Sequence, residues 1–511
     1  MKKFINNLNN VLDEEFNVSV TENGAIGYRT TGKDLLDMNF NVSSFRNVLP
    51  KSIAKKFNKA FFEDKMLAIK WMFFAGDVRG GLGERRLFRI LLQYLAENEL
   101  EIALKLLPLV PEYTRWDNLL PLLDTELKLD VCALIKTQLD SDVQNMKDNK
   151  SVSLLAKWLP SINATSSVTK SYAKILVKEL GLTEREYRKL LSTLRAYLDV
   201  VEVKMSAGKW DEIKYEAVPS RANLIYNGVF IRNDEERRRA YLASLEKGET
   251  TINAGVLFPH DIVYKYAPEF KVLSKKDVTL EELWKALPNY VEGNSSTICV
   301  ADGSGSMCAH VGKSMVTCLA VANALAIYFA ERCSGVFKDK YITFSENPQL
   351  VDLSKGKTLR DKIRIALSYD EVANTNIEAV FDLILASAVK GNMKQEDLPS
   401  NVLILSDMEF DCATSFDYTH GDEGLKLFDE IALKYKEYGY KLPRLIFWNI
   451  YSRTSTIPLK ENKLGVALVS GFSPVVMKMV LSNKLDPFEC LLEQLNAPRY
   501  DKIENAIKGI V

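Results

Sequence analysis

Thr297-Ile298-Cys299-Val300-Ala301-Asp302-Gly303-Ser304-Gly305-Ser306 is the stretch on which the reading of this chain turns. Its first five residues form a short apolar run rich in β-formers, the pattern of a buried strand. The run ends in a carboxylate and two alternating hydroxyls, so a strand would deliver oxygen donors at its carboxyl tip. Oxygen donors suit hard divalent cations such as Mg²⁺, which keep several waters and leave positions for an outside oxygen. The competing interpretation is an ordinary strand-to-helix turn with a hydroxyl at the helix N-cap.

Two later pieces complete the set. Thr375 stands in Asn374-Thr375-Asn376, and Asp407 follows the apolar run Val402-Leu403-Ile404-Leu405-Ser406. Around them the pattern alternates between strand and helix. Strands are predicted at 297–301, 340–344, 401–406, 444–450 and 466–470, with helices at 314–332, 376–390, 424–438 and 474–482. That alternation predicts a doubly wound α/β domain, whose ligands bind outside the carboxyl ends of the strands. Asp302 and Asp407 both fall at such ends.

In this order the residues resemble a von Willebrand factor A domain with a metal-ion-dependent adhesion site. The resemblance implies that Ser304, Ser306 and Thr375 hold the ion directly, with Asp302 and Asp407 close by or bridged through water. It implies Mg²⁺ as the ion, or another divalent cation such as Mn²⁺ or Ca²⁺, and a partner protein that supplies a carboxylate to it. The nearby acids of Asp407-Met408-Glu409-Phe410-Asp411 read as support for these ligands, or as charge that calls for a cation.

The first half reads differently. From about 52 to 287 apolar residues recur at three- and four-residue spacings, with Pro and Gly at the joins. Helices are predicted at 64–74, 83–98, 117–127, 147–159, 167–180, 184–200 and 234–247. Thr183-Glu184-Arg185-Glu186 after Gly181 is a capping signal, and the run Glu235-Glu236-Arg237-Arg238-Arg239 reads as a solvated helix face. Repeated helix pairs suggest a HEAT-like solenoid, which presents an extended surface. A division follows: a helical-repeat domain over 1–290, an α/β domain over 291–511, and a linker around Pro288–Ser296.

Within the helical half, Gly76-Asp77-Val78-Arg79-Gly80-Gly81-Leu82-Gly83-Glu84-Arg85-Arg86 is similar to a signature of TROVE domains, the helical ring of Ro autoantigen-type proteins. Further similarity lies in Tyr113-Thr114-Arg115-Trp116-Asp117 and Leu155-Ala156-Lys157-Trp158-Leu159-Pro160-Ser161, and the two-part layout is that family's as well. The resemblance implies a ribonucleoprotein component: a ring that takes single-stranded RNA and an outer surface for small structured RNA. Arg79, Arg85, Arg115 and Lys157 are the candidate RNA contacts, with Trp116 and Trp158 as stacking surfaces or core residues. Arg79 and Arg85 have a second interpretation, as partners of Asp77 and Glu84 in a folded corner.

Composition narrows the rest. Lys+Arg and Asp+Glu both number 67, so RNA affinity would have to come from a local patch rather than from overall charge. Seven cysteines without Cys-x-x-Cys spacing indicate reduced thiols in a cytoplasmic protein, and no apolar stretch is long enough to suggest a membrane span. The three histidines, His260, His310 and His420, lack zinc spacing. Cys308 reads as a small buried residue. A binding or scaffold function follows, with a protein-only assembly factor and a metal-dependent hydrolase as the alternatives.

Overall fold

The computed structural model describes residues 16–291, 296–369, 374–412, 426–482 and 484–511. Residues 292–295 of the expected linker, His420 and the start of the helix expected at 424 lie outside them. A largely helical stretch precedes a mixed α/β region built on six strands. By compactness the chain forms two units that are not consecutive in sequence. One joins the described residues of Met1–Glu63 to Leu257–Asn496, and the other joins Asp64–Val256 to Ala497–Val511. These limits differ from the linear division at 290. The early helix Asp34–Phe40 packs on the last strand of the sheet; at the end of the neighbouring strand Asn449 Nδ2 donates to the Phe40 carbonyl (2.8 Å), and the Ser43 and Ser470 hydroxyls meet at 2.8 Å.

In the first unit, β1 (Ser19–Val20) and β2 (Ile26–Gly27) form a small antiparallel hairpin. The main sheet comprises β3 (Thr297–Asp302), β4 (Lys340–Phe344), β5 (Gln349–Asp352), β6 (Asn401–Ser406), β7 (Arg444–Asn449) and β8 (Val466–Ser470). Its order is β5-β4-β3-β6-β7-β8, parallel throughout except for β5 at the edge. Every residue of β3, β7 and β8 is buried, as a parallel sheet covered on both faces requires. Strand β5 went unpredicted: its four residues are mostly half-buried or exposed, and so carry no apolar run.

Helix Cys318–Arg332 follows β3, begins at the Thr317 cap and is buried continuously from Cys318 to Ala330. Helix Ile377–Lys390 begins where the Asn376 side chain accepts from the Ala379 N–H (3.1 Å). The segment expected as one helix at 474–482 is instead a 3₁₀ turn, Pro474–Val476, running into the single helical turn Met477–Val480.

In the second unit the helix Lys65–Gly76 leads into the glycine-rich corner. A Cβ on Gly81 would lie 1.9 Å from the Phe74 carbonyl oxygen, so only glycine lets the backbone fold back there. The Thr183 capping box forms as expected, with reciprocal bonds to Glu186 (2.8 and 3.2 Å). Three expectations fail. The helix predicted at 117–127 is instead the 3₁₀ stretch Trp116–Asp124, with Pro121 inside it. The helix predicted at 147–159 does not exist as one element: Lys128–Lys147 ends, and a new turn starts at Leu155–Trp158. Buried Asp142 draws the chain back by accepting from the Ser153 N–H and hydroxyl (2.9 and 2.6 Å). Arg238 is not on a solvated face; it is fully buried, donates to Asn223 and Asn227, and lies over the Tyr215, Phe230 and Tyr241 rings.

Candidate metal site at the carboxyl edge of the sheet

The sheet order reverses direction between β3 and β6, each of which continues to a different edge. Such a switch point leaves a crevice outside the carboxyl ends of the two strands. Asp302 ends β3 and Asp407 follows β6; both are fully buried. The strands pair in parallel register through Ala301 and Leu405, which brings Ser406 beside Asp302, and the Ser406 hydroxyl donates to Asp302 Oδ2. The Ser304 N–H donates to Asp302 Oδ1 (2.9 Å).

Ser304 occupies the cap position of the 3₁₀ turn Gly305–Cys308, yet its side chain makes no capping bond. Its hydroxyl lies 3.1 Å from that of Ser306, which acts to lower the Asp407 carboxyl and so stands close to it. The plain N-cap interpretation of Asp-Gly-Ser-Gly-Ser is therefore not the one the geometry realises. Thr375 precedes the Asn376 cap, is buried, and joins the same edge through one backbone and one side-chain link. Its N–H donates to Asp411 Oδ2 (3.0 Å), and its hydroxyl accepts from Asn23 Nδ2 (3.1 Å). The same Asn23 amide donates to the Glu409 carbonyl, two residues past Asp407 (2.7 Å).

The chain turns sharply after β6. Met408 adopts φ +66°, a left-handed conformation that costs a non-glycine residue on the order of 1 kcal/mol or more. The Ser406 hydroxyl accepts from the Met408 N–H (2.9 Å), and Asp407 Oδ1 accepts from the Glu409 N–H (3.3 Å). Phe410 fastens the turn from below, with its ring 5.7 Å from Phe428, which packs edge-on against Phe447 of β7 at 4.8 Å.

Electrostatics single out this edge. Burial raises the Asp302 carboxyl, and the charge of Asp407 raises it further. Burial also raises Asp407, against the Arg453 guanidinium, whose Nη1 donates to Asp407 Oδ2 (3.1 Å). Glu409, fully buried as well, accepts from the backbone N–H groups of Glu22, Arg453 and Thr454 and from the Ser452 and Thr454 hydroxyls. Glu409 and Asp411 thus act as supports that hold neighbouring loops, Asp411 through Thr375.

The candidate donors are oxygens: the Asp302 and Asp407 carboxylates, the neighbouring Ser304 and Ser306 hydroxyls, and the Thr375 hydroxyl, which is tied to this edge through Asn23. That set matches the preference of a hard divalent cation; Arg453 pairs with Asp407, whereas Asp302 is held by the Ser406 hydroxyl and the Ser304 N–H. Among the described residues no group of three or more His, Cys, Asp or Glu is arranged to hold a metal, so any ion here would depend on the hydroxyls. His310 is exposed and Cys308 half-buried rather than buried. All seven cysteines are free thiols.

Arg453, Glu22 and Asn23 escaped the sequence analysis. The one available signal for Arg453 was its place four residues past β7, on the edge where Asp302 and Asp407 end. Glu22 and Asn23 carried no signal, because more than 350 residues separate them from their partners.

The candidate RNA contacts lie in the other unit and do not form one set. Arg79 is exposed, and its backbone N–H, not its guanidinium, bonds Asp77 (2.9 Å). Asp77 is held instead by Arg499, at Nη2 2.9 Å and also through Nε, and by the Tyr500 hydroxyl (3.3 Å). Arg115 and Arg89 share Asp117, at 2.8 and 2.9 Å. Arg85 is held below the usual arginine range by desolvation first and then by Arg115, with Arg89 and Arg221 adding to it. The Arg115 guanidinium lies 3.7 Å from the Trp158 ring and Lys157 Nζ 5.8 Å from it. Trp158 is half-buried, whereas Trp116 is core.

Comparison with known proteins adds relatives but no activity. Residues 296–502 are similar to a family described as "Domain of unknown function (DUF7788)", and residues 125–292 to one described as "Domain of unknown function (DUF2828)". The chain is 29% identical over 526 residues to "Uncharacterized protein L728" of Acanthamoeba polyphaga mimivirus, a match covering 94% of this chain and 87% of that protein. Among the described residues no helix is long and apolar enough to cross a membrane.

Proposed function

We propose that this chain is a binding protein whose sheet edge captures a partner's carboxylate through a divalent cation and whose helical unit engages RNA. One observation carries the metal half: two fully buried carboxylates, Asp302 and Asp407, end neighbouring parallel strands at the switch point, with the Ser304 and Ser306 hydroxyls between them. The likeness to a von Willebrand factor A domain is part of the same reading, and the doubly wound strand order with one reversed edge strand supports it. Ser304, Ser306 and Thr375 would hold the ion, with Asp302 and Asp407 balancing its charge. A bound Mg²⁺ supplies a Lewis-acidic position for an outside carboxylate. Mn²⁺ calorimetry on the full chain tests this reading. Saturable binding that Asp302→Ala abolishes, with helical content retained, is the expected result; identical binding by the variant would refute it.

The RNA half rests on the cluster of Arg85, Arg89, Arg115 and Arg221 beside the half-buried Trp158. Cations next to an aromatic or guanidinium plane suit single-stranded RNA. Helices joined by short turns, such as Ser167–Glu179 with Glu184–Tyr197 and Ser220–Asn233 with Glu235–Glu246, support the HEAT-like, TROVE-like reading. A gel shift with a short single-stranded RNA across a salt series is the test. Affinity that falls steeply with salt and weakens in Arg115→Ala supports the reading. No binding at low salt would leave the protein-only assembly factor, and phosphoester turnover with Mg²⁺ or Mn²⁺ would point to the hydrolase.

A further inference from the structure

Arg453 is a cation that the carboxyl edge already holds. Its backbone N–H donates to Glu409 Oε1 (2.7 Å), which fixes where the side chain starts. From there Nη1 reaches Asp407 Oδ2 (3.1 Å) and Nε reaches Glu22 Oε2 (2.7 Å). The guanidinium is thus shared between a carboxylate with no exposure and one on the β1–β2 turn whose side chain is 48% exposed. That turn is docked on the edge independently of the ion pair. The Thr21 hydroxyl donates to the Phe410 carbonyl (2.7 Å), the Glu22 N–H to Glu409 Oε2 (2.9 Å) and Asn23 Nδ2 to the Thr375 hydroxyl (3.1 Å).

We propose that Arg453 is an internal competitor of the divalent cation for Asp407, and that Glu22 sets the balance by drawing the guanidinium away. The inference rests on the metal reading above and adds its regulation. An ion held by Ser304, Ser306 and Thr375 brings two positive charges close to a guanidinium, in a setting too buried for salt to screen well. Arginine cannot relieve that repulsion by losing its proton. It can move, because its side chain is 27% exposed and Glu22 lies on the solvent side. Metal occupancy and the docking of the N-terminal turn are therefore linked through one side chain. A partner or modification that lifts the turn would leave Arg453 to Asp407 alone and weaken the ion.

Opposite signs make this testable. Mn²⁺ affinity is measured by calorimetry on the full chain for the wild type, Arg453→Gln, Glu22→Gln and the double variant, with circular dichroism to check folding. Arg453→Gln should bind Mn²⁺ about tenfold more tightly, which corresponds to about 1.4 kcal/mol. Glu22→Gln should bind several-fold more weakly. The double variant should match Arg453→Gln, because Glu22 acts only through the guanidinium. Equal affinities, or weaker binding in both single variants, would overturn the proposal. A double variant that returns to wild-type affinity would overturn it too, since that is the additive result of distant charges. Were Arg453→Gln not to fold, Arg453→Met takes its place in the single and the double variant with the same expected order, and unchanged binding in Glu22→Gln refutes the proposal. Failure of all four proteins to bind Mn²⁺ removes the metal reading and this inference together, whereas wild-type binding without the shifts removes only the inference.

Discussion

Asp77 in the helical unit and Asp407 at the sheet edge are both fully buried, and each is paired with an arginine from a distant stretch of chain. Their surroundings differ in one respect. Asp77 has Arg499 to itself, and the Tyr500 hydroxyl and the Arg79 N–H complete its hydrogen bonds. Asp407 shares Arg453 with Glu22 and sits beside a second buried acid, Asp302, which among the described residues has no arginine partner. A buried carboxylate matched one-to-one with a guanidinium is a structural clamp. Buried carboxylates that outnumber their cations instead raise one another, as burial and Asp407 raise Asp302.

Four experiments break or sharpen that contrast. Phe410→Ala should cost about 4 kcal/mol by emptying the ring cluster under the Asp407 turn, and should weaken Mn²⁺ binding as well. Chemical denaturation followed by titration of the folded protein reads both effects. Arg499→Ala strands the Asp77 carboxylate and should cost about 3 kcal/mol, the low end for a broken buried pair because solvent reaches the arginine side. Its Mn²⁺ affinity should stay at the wild-type value; a loss there would mean that the clamp and the sheet edge are not independent.

Adding Mg²⁺ at a hundredfold excess over its dissociation constant should stabilise the protein by about 2.7 kcal/mol, reversed by EDTA and absent in Asp302→Ala. A thermal melt with and without the ion checks this. Asn376→Ala should cost only about 1 kcal/mol, the usual value of a lost helix cap. Its effect on Mn²⁺ should be small, since Thr375 remains tied to Asp411.

Much of the sheet was legible because a buried parallel strand must be written as a continuous apolar run. Strands β4, β6 and β8 fall on the residues expected, and β3 and β7 differ by one residue at their ends. Legibility failed where a polar group far along the chain, rather than local pattern, decides the path. Asp142 pulls Ser153 back and ends the helix that periodicity carried through 147–159. Arg238 looked solvated in a run of five charges, yet three aromatic rings and two asparagines receive it inside the fold. At the candidate site, Asp302, Ser304, Ser306 and Asp407 could be read from strand ends, whereas Arg453 and Asn23 could not.

From the sequence alone come the alternation of strand and helix, the placement of two acids at strand ends and the capping box at Thr183. These depend on interactions among near neighbours and on side-chain periodicity, which any stretch of chain carries within itself. Tertiary structure alone decided that the N-terminal turn reaches Thr375 and Glu409, that Arg453 is divided between Asp407 and Glu22, and that Arg499 rather than Arg79 holds Asp77. Those pairings join residues tens to hundreds of positions apart, and only burial makes an unmatched charge costly enough to select its partner.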